Sequence, residues 1–458
     1  SFPGPLVDDL SFASMKTPWT PYSWLADLGM KWVWDLGGYR AAIVVTALMS
    51  GCLVALLAFI GLEISIERTG RARYLAAALA AFVGGFLALP YLSFRPVTAA
   101  LVLLALCVWL LTRDRRLEYR SREVWLVIPI TALLVNIHLY AIFVPLAVGA
   151  ILFERLHLKR NLKLLAGTSI ACLMTPMLPG VIRTAWNYQF EDVMVRGHVI
   201  AEMQPFYHGE FGMVAAGMAL LIIGFAIWNR SRMSLVAWLW MAGGTIVLLR
   251  MGRFAPVFAI FAAPTLAATL PELSDRALGR RPIQAALAGV MFVVMIKVAT
   301  AFPSRSQTLS SWINRMELEN SGYPAAAVDF VEAGISAKTH HVITEFTWGG
   351  YLEWRLGSNW QVLLDGRTQV FSADLWRALY LSDAAHRKDY LSTVAADAAV
   401  VPAKGSEFRE SLLALGWKIV YSDNRSEVLI PPAFEAVTSK PRSGQYTGGQ
   451  DSVSSGIP

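Results

Sequence analysis

The run TRDRRLEYRSREVWLVIPITALLVNIHLYAIFVPLAVGAILFERLHLKRNLK, residues 112–163, decides how the rest of the chain is read. Its middle, Val124 to Phe153, is apolar and long enough to cross a bilayer once as a helix, because a hydrocarbon core of about 30 Å needs about 20 residues. Both flanks are basic, and short basic loops stay on the cytoplasmic side, so a single crossing would strand one flank on the wrong side. Two short helices turning at Asn136-Ile137-His138 remove the conflict. The flanks then share one face and the turn lies on the other.

Outward from this run the same punctuation recurs at Arg68/Arg71/Arg73, at NRSR (229–232) and at ELSDRALGRRP (272–282). Between the basic clusters the spacing predicts spanning segments near 39–66, 75–93, 97–112, 124–136, 139–153, 164–181, 211–229, 233–249, 254–270 and 283–301. Counting crossings puts residues 1–38, the loop at Arg95, the turn at His138, the loop 182–210, the loop from Arg250 to Arg253 and everything after 302 on the face opposite the basic clusters. Of the 458 residues, 55% are hydrophobic and only 16% charged, which is a membrane composition. The net charge of +7 is accounted for by the basic loops and anionic headgroups, and nucleic acid is not among the expected partners. Cys52, Cys107 and Cys172 all fall in apolar helices without ligand spacing, so they read as core residues and no metal site is predicted from them. The polar, Pro-rich start carries no basic n-region and no apolar h-region, and a first helix is expected upstream of Ser1.

After Pro303 lipid-length runs give way to short elements. A helix at PAAAVDFVEAG (324–334) precedes β-like runs at 340–346, 361–365, 398–402, 418–422 and 427–431, with helical patterns between several of them. The predicted organisation is a first outer loop with an interfacial helix (1–38), a transmembrane domain of about ten helices (39–302), an α/β domain (303–432) and a disordered tail rich in Ser, Gly, Thr and Gln (433–458).

The polar oddities converge on the outer face. Asp8-Asp9 precede an aromatic, interfacial stretch, and one carboxylate of such a pair is a candidate general base or cation ligand, against the plain reading of a solvated loop. Arg95, Arg250 and Arg253 lie at the membrane boundary, where a guanidinium fork suits a lipid-linked phosphate; the alternative is a snorkelling anchor. His138 is a candidate phosphate ligand or proton shuttle, while Asn136 is a candidate substrate contact whose alternative, satisfying backbone freed at the turn, weighs more. Glu202, beside Phe206 and Tyr207, is a candidate sugar contact or an ordinary interfacial residue. In the α/β domain, WGGYLEWRL (348–356) and LLDGRTQVF (363–371) offer Trp348, Tyr351 and Asp365 for substrate binding, and no phosphate-binding glycine loop is present.

The stretches DDLSFA (8–13), PWTPYSWLAD (18–27), LSFRP (92–96), NIH (136–138), AEMQP (201–205) and MGRFAPVFA (251–259) resemble bacterial multi-pass proteins of the GT-C glycosyltransferase superfamily. That superfamily includes the polyprenyl- and dolichyl-phosphate-mannose protein mannosyltransferases. WGGYLEWRL with LLDGR is similar to the outer α/β domain of that bacterial group. The resemblance implies a GT-C-like helical bundle in the inner membrane with a periplasmic C-terminal domain. It further implies sugar transfer, hexosyl or pentosyl, from a polyprenyl-phosphate donor to a glycan, lipid or protein acceptor, with an outer-loop acid as base and inversion at the anomeric carbon. No cofactor is demanded; a divalent cation is the one candidate. The competing class is a non-enzymatic scaffold or transporter for cell-envelope glycan assembly. Clustering of polar groups at one face, without related halves, argues against transport.

Overall fold

The computed structural model describes residues 6–271 except 198, 201 and 202, residues 281, 284, 285, 289 and 292, and residues 322–432 except 336 and 337. Glu202, the predicted tail and nearly all of the predicted segment 283–301 lie outside the described residues. Two compact units emerge. One is helical and contains residues 1–7, 17–317 and 368–376; the other contains 8–16, 318–367 and 377–458.

The helical unit opens with a two-residue antiparallel pair, β1 (Leu6–Val7) and β2 (Pro18–Trp19), then α1 (Trp24–Thr69). α1 is two helices joined at Gly37-Gly38, where Gly38 takes φ +57° and ψ −140°, a conformation closed to residues with a Cβ. The arm before the joint exposes Leu28, Trp32 and Leu36 at a spacing of four, and Lys31 pairs with Asp35 at 2.7 Å. That is the pattern of an interfacial helix. α2 (Tyr74–Ala88) and α3 (Pro96–Arg116) follow. The run that decides the topology folds as α4 (Val127–Val135) and α5 (Phe143–Ile151), each with a proline in its first turn and each preceded by a 3-10 turn, and the chain reverses at Asn136–His138.

The next segment departs from expectation. Hydropathy suggests 164–181, whereas α6 spans Leu158–Ala171 and a separate α7 spans Leu178–Trp186. The basic residues Lys159, Arg160 and Lys163 are good helix formers and extend α6 backwards, while Pro176 ends it. α8 (Val193–Arg196), α9 (Gly209–Trp228), α10 (Leu235–Arg250), α11 (Ala255–Ala262) and α12 (Leu266–Thr269) complete the described helices up to residue 269. By length and composition alone, α1, α2 with its extension to Tyr91, α3 and the run Gly252–Thr269 can cross a membrane, and four shorter apolar helices accompany them. Among the described residues, four helices are of full spanning length and four are shorter, where the sequence predicts ten segments.

Small residues bring α1, α2 and the α11–α12 run together. Every residue from Ala255 to Thr269 is buried. A Cβ on Gly84 would lie 2.9 Å from Leu57 Cδ1 and 3.2 Å from Ala263 Cβ, and one on Gly61 would lie 3.2 Å from Ala267 Cβ. Close helix approach of this kind is how apolar helices associate when lipid removes the hydrophobic drive. Gly84→Leu is therefore expected to cost about 1–3 kcal/mol through overpacking, read as a lowered thermal midpoint of the protein in detergent; an unchanged midpoint would show the contact to be slack.

Among the described residues, the basic clusters at 68–73, 113–123, 154–163 and 229–232 meet at one end of the bundle, where they also neutralise charge and cap helices. Arg115 lies between Glu67 (3.1 Å) and Glu154 (2.8 Å), and Asp114 accepts from both terminal nitrogens of Arg160 at 2.8 Å. Arg73 donates to the carbonyls of Ala267, Ala268, Leu270 and Pro271, and Arg68 to that of Arg232, covering acceptors that helix ends leave unpaired. At the opposite end Trp24 donates to Asn136 Oδ1 (2.9 Å), Asn136 donates to the Met174 carbonyl (2.9 Å), and Gly252 N donates to the Gln204 carbonyl (2.9 Å).

The second unit is built on a five-stranded sheet. Its elements are α13 (Ala325–Gly334), β3 (His341–Thr344), α14 (Phe346–Leu356), β4 (Gln361–Val362), then, past the short α15 (Ala373–Trp376) that belongs to the helical unit, α16 (Ala384–Thr393), β5 (Ala398–Pro402), α17 (Glu407–Ala414), β6 (Lys418–Ser422) and β7 (Ser426–Ile430). The order is β4-β3-β5-β7-β6, parallel among β4, β3 and β5 and antiparallel through β7 and β6. Residues 10–12 run beside the β4 edge: Phe12 N donates to the Val362 carbonyl, Val362 N to that of Leu10, and Ser11 Oγ to that of Leu363 at 2.9 Å. The edge amides and carbonyls are thereby paired rather than left open.

Candidate functional site

α7 lies in the stretch that hydropathy assigned partly to an outer loop. Leu178, Val181, Ile182, Ala185 and Trp186 recur at the helical period and, with Phe190, line one wall of a cavity of about 600 Å³ in the helical unit. Ile182, Trp186 and Phe190 are highly exposed. Ile142, Phe143, Leu173 and Phe254 are among the apolar residues that continue the wall, and the polar side chains in the lining are Tyr22, His138, Tyr140, Tyr188, Gln189 and Arg253. A volume of this size with few polar groups in an apolar surround is typical of small-molecule sites.

Arg253 reaches the cavity from the turn Gly252–Phe254, just before the buried α11. Its main-chain carbonyl accepts from Tyr140 Oη (3.3 Å), and its Nη1 lies 3.5 Å from Met203 Sδ. His138, 7% exposed, caps the turn before Leu139: its Nδ1 accepts from Tyr140 N at 3.3 Å, and its ring meets those of Tyr140 (4.2 Å) and Tyr22 (6.4 Å) edge-on. Burial, reinforced by the Arg253 charge, pushes the imidazole down to about 3, so the ring is neutral with its proton on Nε2. Burial raises the phenols of both Tyr22 and Tyr188, keeping them protonated. Behind them Tyr188 Oη lies 3.2 Å from Gln369 Oε1, Thr368 Oγ1 donates to Asp192 Oδ2 (2.6 Å), and Asp192 Oδ1 caps α8 through Met194 N and Val195 N.

Of the residues singled out from sequence, His138 and Arg253 share this cavity. Asn136 lies at the same turn, but its amide is engaged by Trp24, Ala132 and Met174. Arg95 is exposed at the start of α3, and Arg250 is exposed with a long contact, 3.5 Å, to the Gln189 carbonyl; neither lines the cavity. Tyr22, Tyr188 and Gln189 escaped the reading because a tyrosine or glutamine in an aromatic loop carries no distinctive spacing.

In the second unit a different group assembles. A Cβ on Gly349 would sit 1.9 Å from the Leu364 carbonyl, so glycine alone permits α14 to press on the end of β4. Glu353, one turn on, is thereby brought to Asp365. The Arg367 guanidinium joins both of them and Asp8: Asp8 Oδ1 at 2.9 Å, Glu353 Oε1 at 3.6 Å, and Asp365 more closely still. Asp8 is 2% exposed, also accepts from Ser14 Oγ and Leu10 N, and is fully occupied as an anchor of residues 8–16. Asp9 is exposed, and its main-chain carbonyl accepts from Gln361 Nε2 at 3.0 Å. Trp348 packs half-buried on the core, and Tyr351 is buried against Tyr323, ring to ring at 4.7 Å. Among the described residues no group of three or more His, Cys, Asp or Glu side chains has a metal-holding arrangement. The carboxylates that do converge surround a guanidinium instead.

Burial, then the charge and hydrogen bond of Asp365, push Glu353 up to about 9, with Arg367 opposing. A raised carboxyl supports the fold fully below its unfolded value of 4.5 and loses that support as pH climbs through 9. Glu353→Gln, which stays neutral, is expected to flatten this slope and to exceed the wild type by about 1–2 kcal/mol at pH 8, with little difference at pH 4.5. Thermal midpoints of the full chain at both pH values test this; parallel profiles would refute it.

Taken together, the described residues form a helical unit with four helices long and apolar enough to cross a membrane and a second, α/β unit. No protein-family model and no curated protein sequence matches the chain. Among solved structures it is similar to the oligosaccharyltransferase of Archaeoglobus fulgidus tethered with an acceptor peptide, at TM-score 0.53 and 14% identity over 88% of this chain and 63% of that one. The apo form of the same enzyme gives 0.51 and 14%, over 94% and 69%. ArnT of Cupriavidus metallidurans bound to undecaprenyl phosphate, at 0.41 and 14%, is too distant to add weight. The chain thus spans a little under two thirds of the first of these proteins, and its fold is similar to that of this oligosaccharyltransferase.

Proposed function

We propose that this chain transfers a sugar from a polyprenyl-phosphate-linked donor to an acceptor on the outer, periplasmic face of the inner membrane. The observation that carries the reading is the apolar-walled cavity with a guanidinium, a neutral imidazole and three phenols in its lining, within a GT-C-like fold. An amphiphile with an anionic head and a hydrocarbon tail is the ligand class that such a lining matches. Arg253 offers a fork for phosphate oxygens, and His138 Nε2–H offers a further donor. In the transfer, an acceptor oxygen attacks the anomeric carbon, the bond from that carbon to the phosphate oxygen breaks, and the phosphate leaves with the electron pair. The acceptor's proton passes to a carboxylate. The protein's contribution is to position the two substrates and to stabilise charge developing on the leaving phosphate.

Of the two visible acids in the first outer loop, Asp9 is the proposed base, since Asp8 is committed to Arg367. The test is transfer of labelled sugar from synthetic polyprenyl-phosphate donors to a membrane extract by wild type, Asp9→Ala and Asp8→Asn. Loss of transfer in Asp9→Ala with the protein still inserted supports the assignment; full transfer by that variant moves the base elsewhere. No transfer by the wild type across hexosyl and pentosyl donors would favour a scaffold.

A further inference from the structure

Residues 368–376 are far from the cavity lining in sequence, yet they belong to the helical unit and stand directly behind Tyr188. Gln369 Oε1 is 3.2 Å from Tyr188 Oη, Thr368 is tied to Asp192 at 2.6 Å, and Trp376 Nε1 donates to the Thr368 carbonyl at 3.1 Å. The segment is therefore held on both sides of Gln369. A phenol has one proton, and where Tyr188 donates it to Gln369 it has none for the cavity. An amide, unlike a carboxylate, also carries donors, and turning it over reverses the direction of the bond.

We propose that Gln369 is a positioning residue that sets the hydrogen-bond polarity of Tyr188. With the Gln369 amide donating to the phenol oxygen, Tyr188 releases its proton toward an anionic head in the cavity, alongside Arg253. This deepens the function proposed above and rests on it. Three properties of the site support it together: Tyr188 lines the cavity, its hydroxyl is bonded to Gln369, and Gln369 is supplied by a segment anchored through a buried aspartate. The ligand feature recognised is the phosphate oxygen, and the prenyl tail is indifferent to it.

The experiment measures binding of undecaprenyl phosphate and of uncharged undecaprenol to the full chain in detergent, for wild type, Tyr188→Phe, Gln369→Glu and the double variant. A glutamate accepts from Tyr188 and cannot turn over to donate. Tyr188→Phe and Gln369→Glu are each expected to weaken undecaprenyl phosphate about 5- to 10-fold while undecaprenol binding and the thermal midpoint stay unchanged, and the double variant should be no weaker than Tyr188→Phe alone. If Gln369→Glu still weakens binding in the Tyr188→Phe background, it acts by charge and the inference falls. Wild-type affinity in both single variants overturns the inference alone. Failure of the wild type to bind undecaprenyl phosphate overturns the proposed function and this inference with it.

Discussion

Arg253→Ala is expected to abolish measurable sugar transfer and to weaken polyprenyl-phosphate binding about 10- to 100-fold, the loss of one charge-assisted contact at 1.5–3 kcal/mol. The variant should insert and fold. The main-chain carbonyl that receives Tyr140 Oη survives the substitution. Arg253→Lys should recover only part of the affinity, since a lysine keeps the charge and loses the planar fork. Binding and transfer are measured in the same detergent preparation, with the thermal midpoint as the control for folding. Normal transfer by a stably inserted Arg253→Ala protein would remove Arg253 from the donor site and leave the cavity without its cation.

Arg367→Ala is expected to have the largest effect on stability. It takes away the guanidinium around which Asp8, Asp365 and Glu353 gather, and all three carboxyls are shielded from water. Breaking a buried ion pair from one side costs about 3–5 kcal/mol, because the remaining charge has no compensation. The damage should centre on residues 8–16, whose attachment combines the Asp8–Arg367 pair with two main-chain hydrogen bonds to β4 and two more that involve the side chains of Ser11 and Gln361. Limited proteolysis should then cut within 8–16 at protease levels that spare the wild type. Asp8→Asn should be milder, as it leaves Arg367 with two acidic partners. A wild-type thermal midpoint and digestion pattern for Arg367→Ala would show that the cluster adds nothing to the fold.

Much of the architecture is legible without coordinates because it follows from one-dimensional rules. The basic flanks of residues 112–163 force a reversal, and the chain reverses at Asn136–His138. The strands at 398–402 and 418–422 coincide with their apolar runs, and the other three differ by a few residues. The division between α6 and α7 was hidden because a hydropathy scan reads Leu164 to Val181 as one apolar run and takes no account of Pro176 as a breaker. The amphipathic stripe of α7 was hidden for the same reason: its period is visible only once Leu178 is known to begin a helix.

The candidate site divides in the same way. Arg253 and His138 were found because a charged or ionisable group between apolar helices is costly and so conspicuous on any reading. Arg367, Glu353, Tyr188 and Gln369 were not, since each lies in a polar or mixed stretch where such residues are ordinary. Their significance comes from partners distant in sequence: Asp8 lies 359 positions before Arg367, and Gln369 lies 181 after Tyr188. The sequence by itself determined that the chain carries helices long and apolar enough to cross a membrane, at which helix ends its positive charge gathers and where its β-strands fall, because hydropathy, charge and period act along the chain. Only the tertiary structure decided which carboxylate is spent on an arginine and which polar groups share a cavity, because burial and hydrogen bonding depend on what the fold brings near.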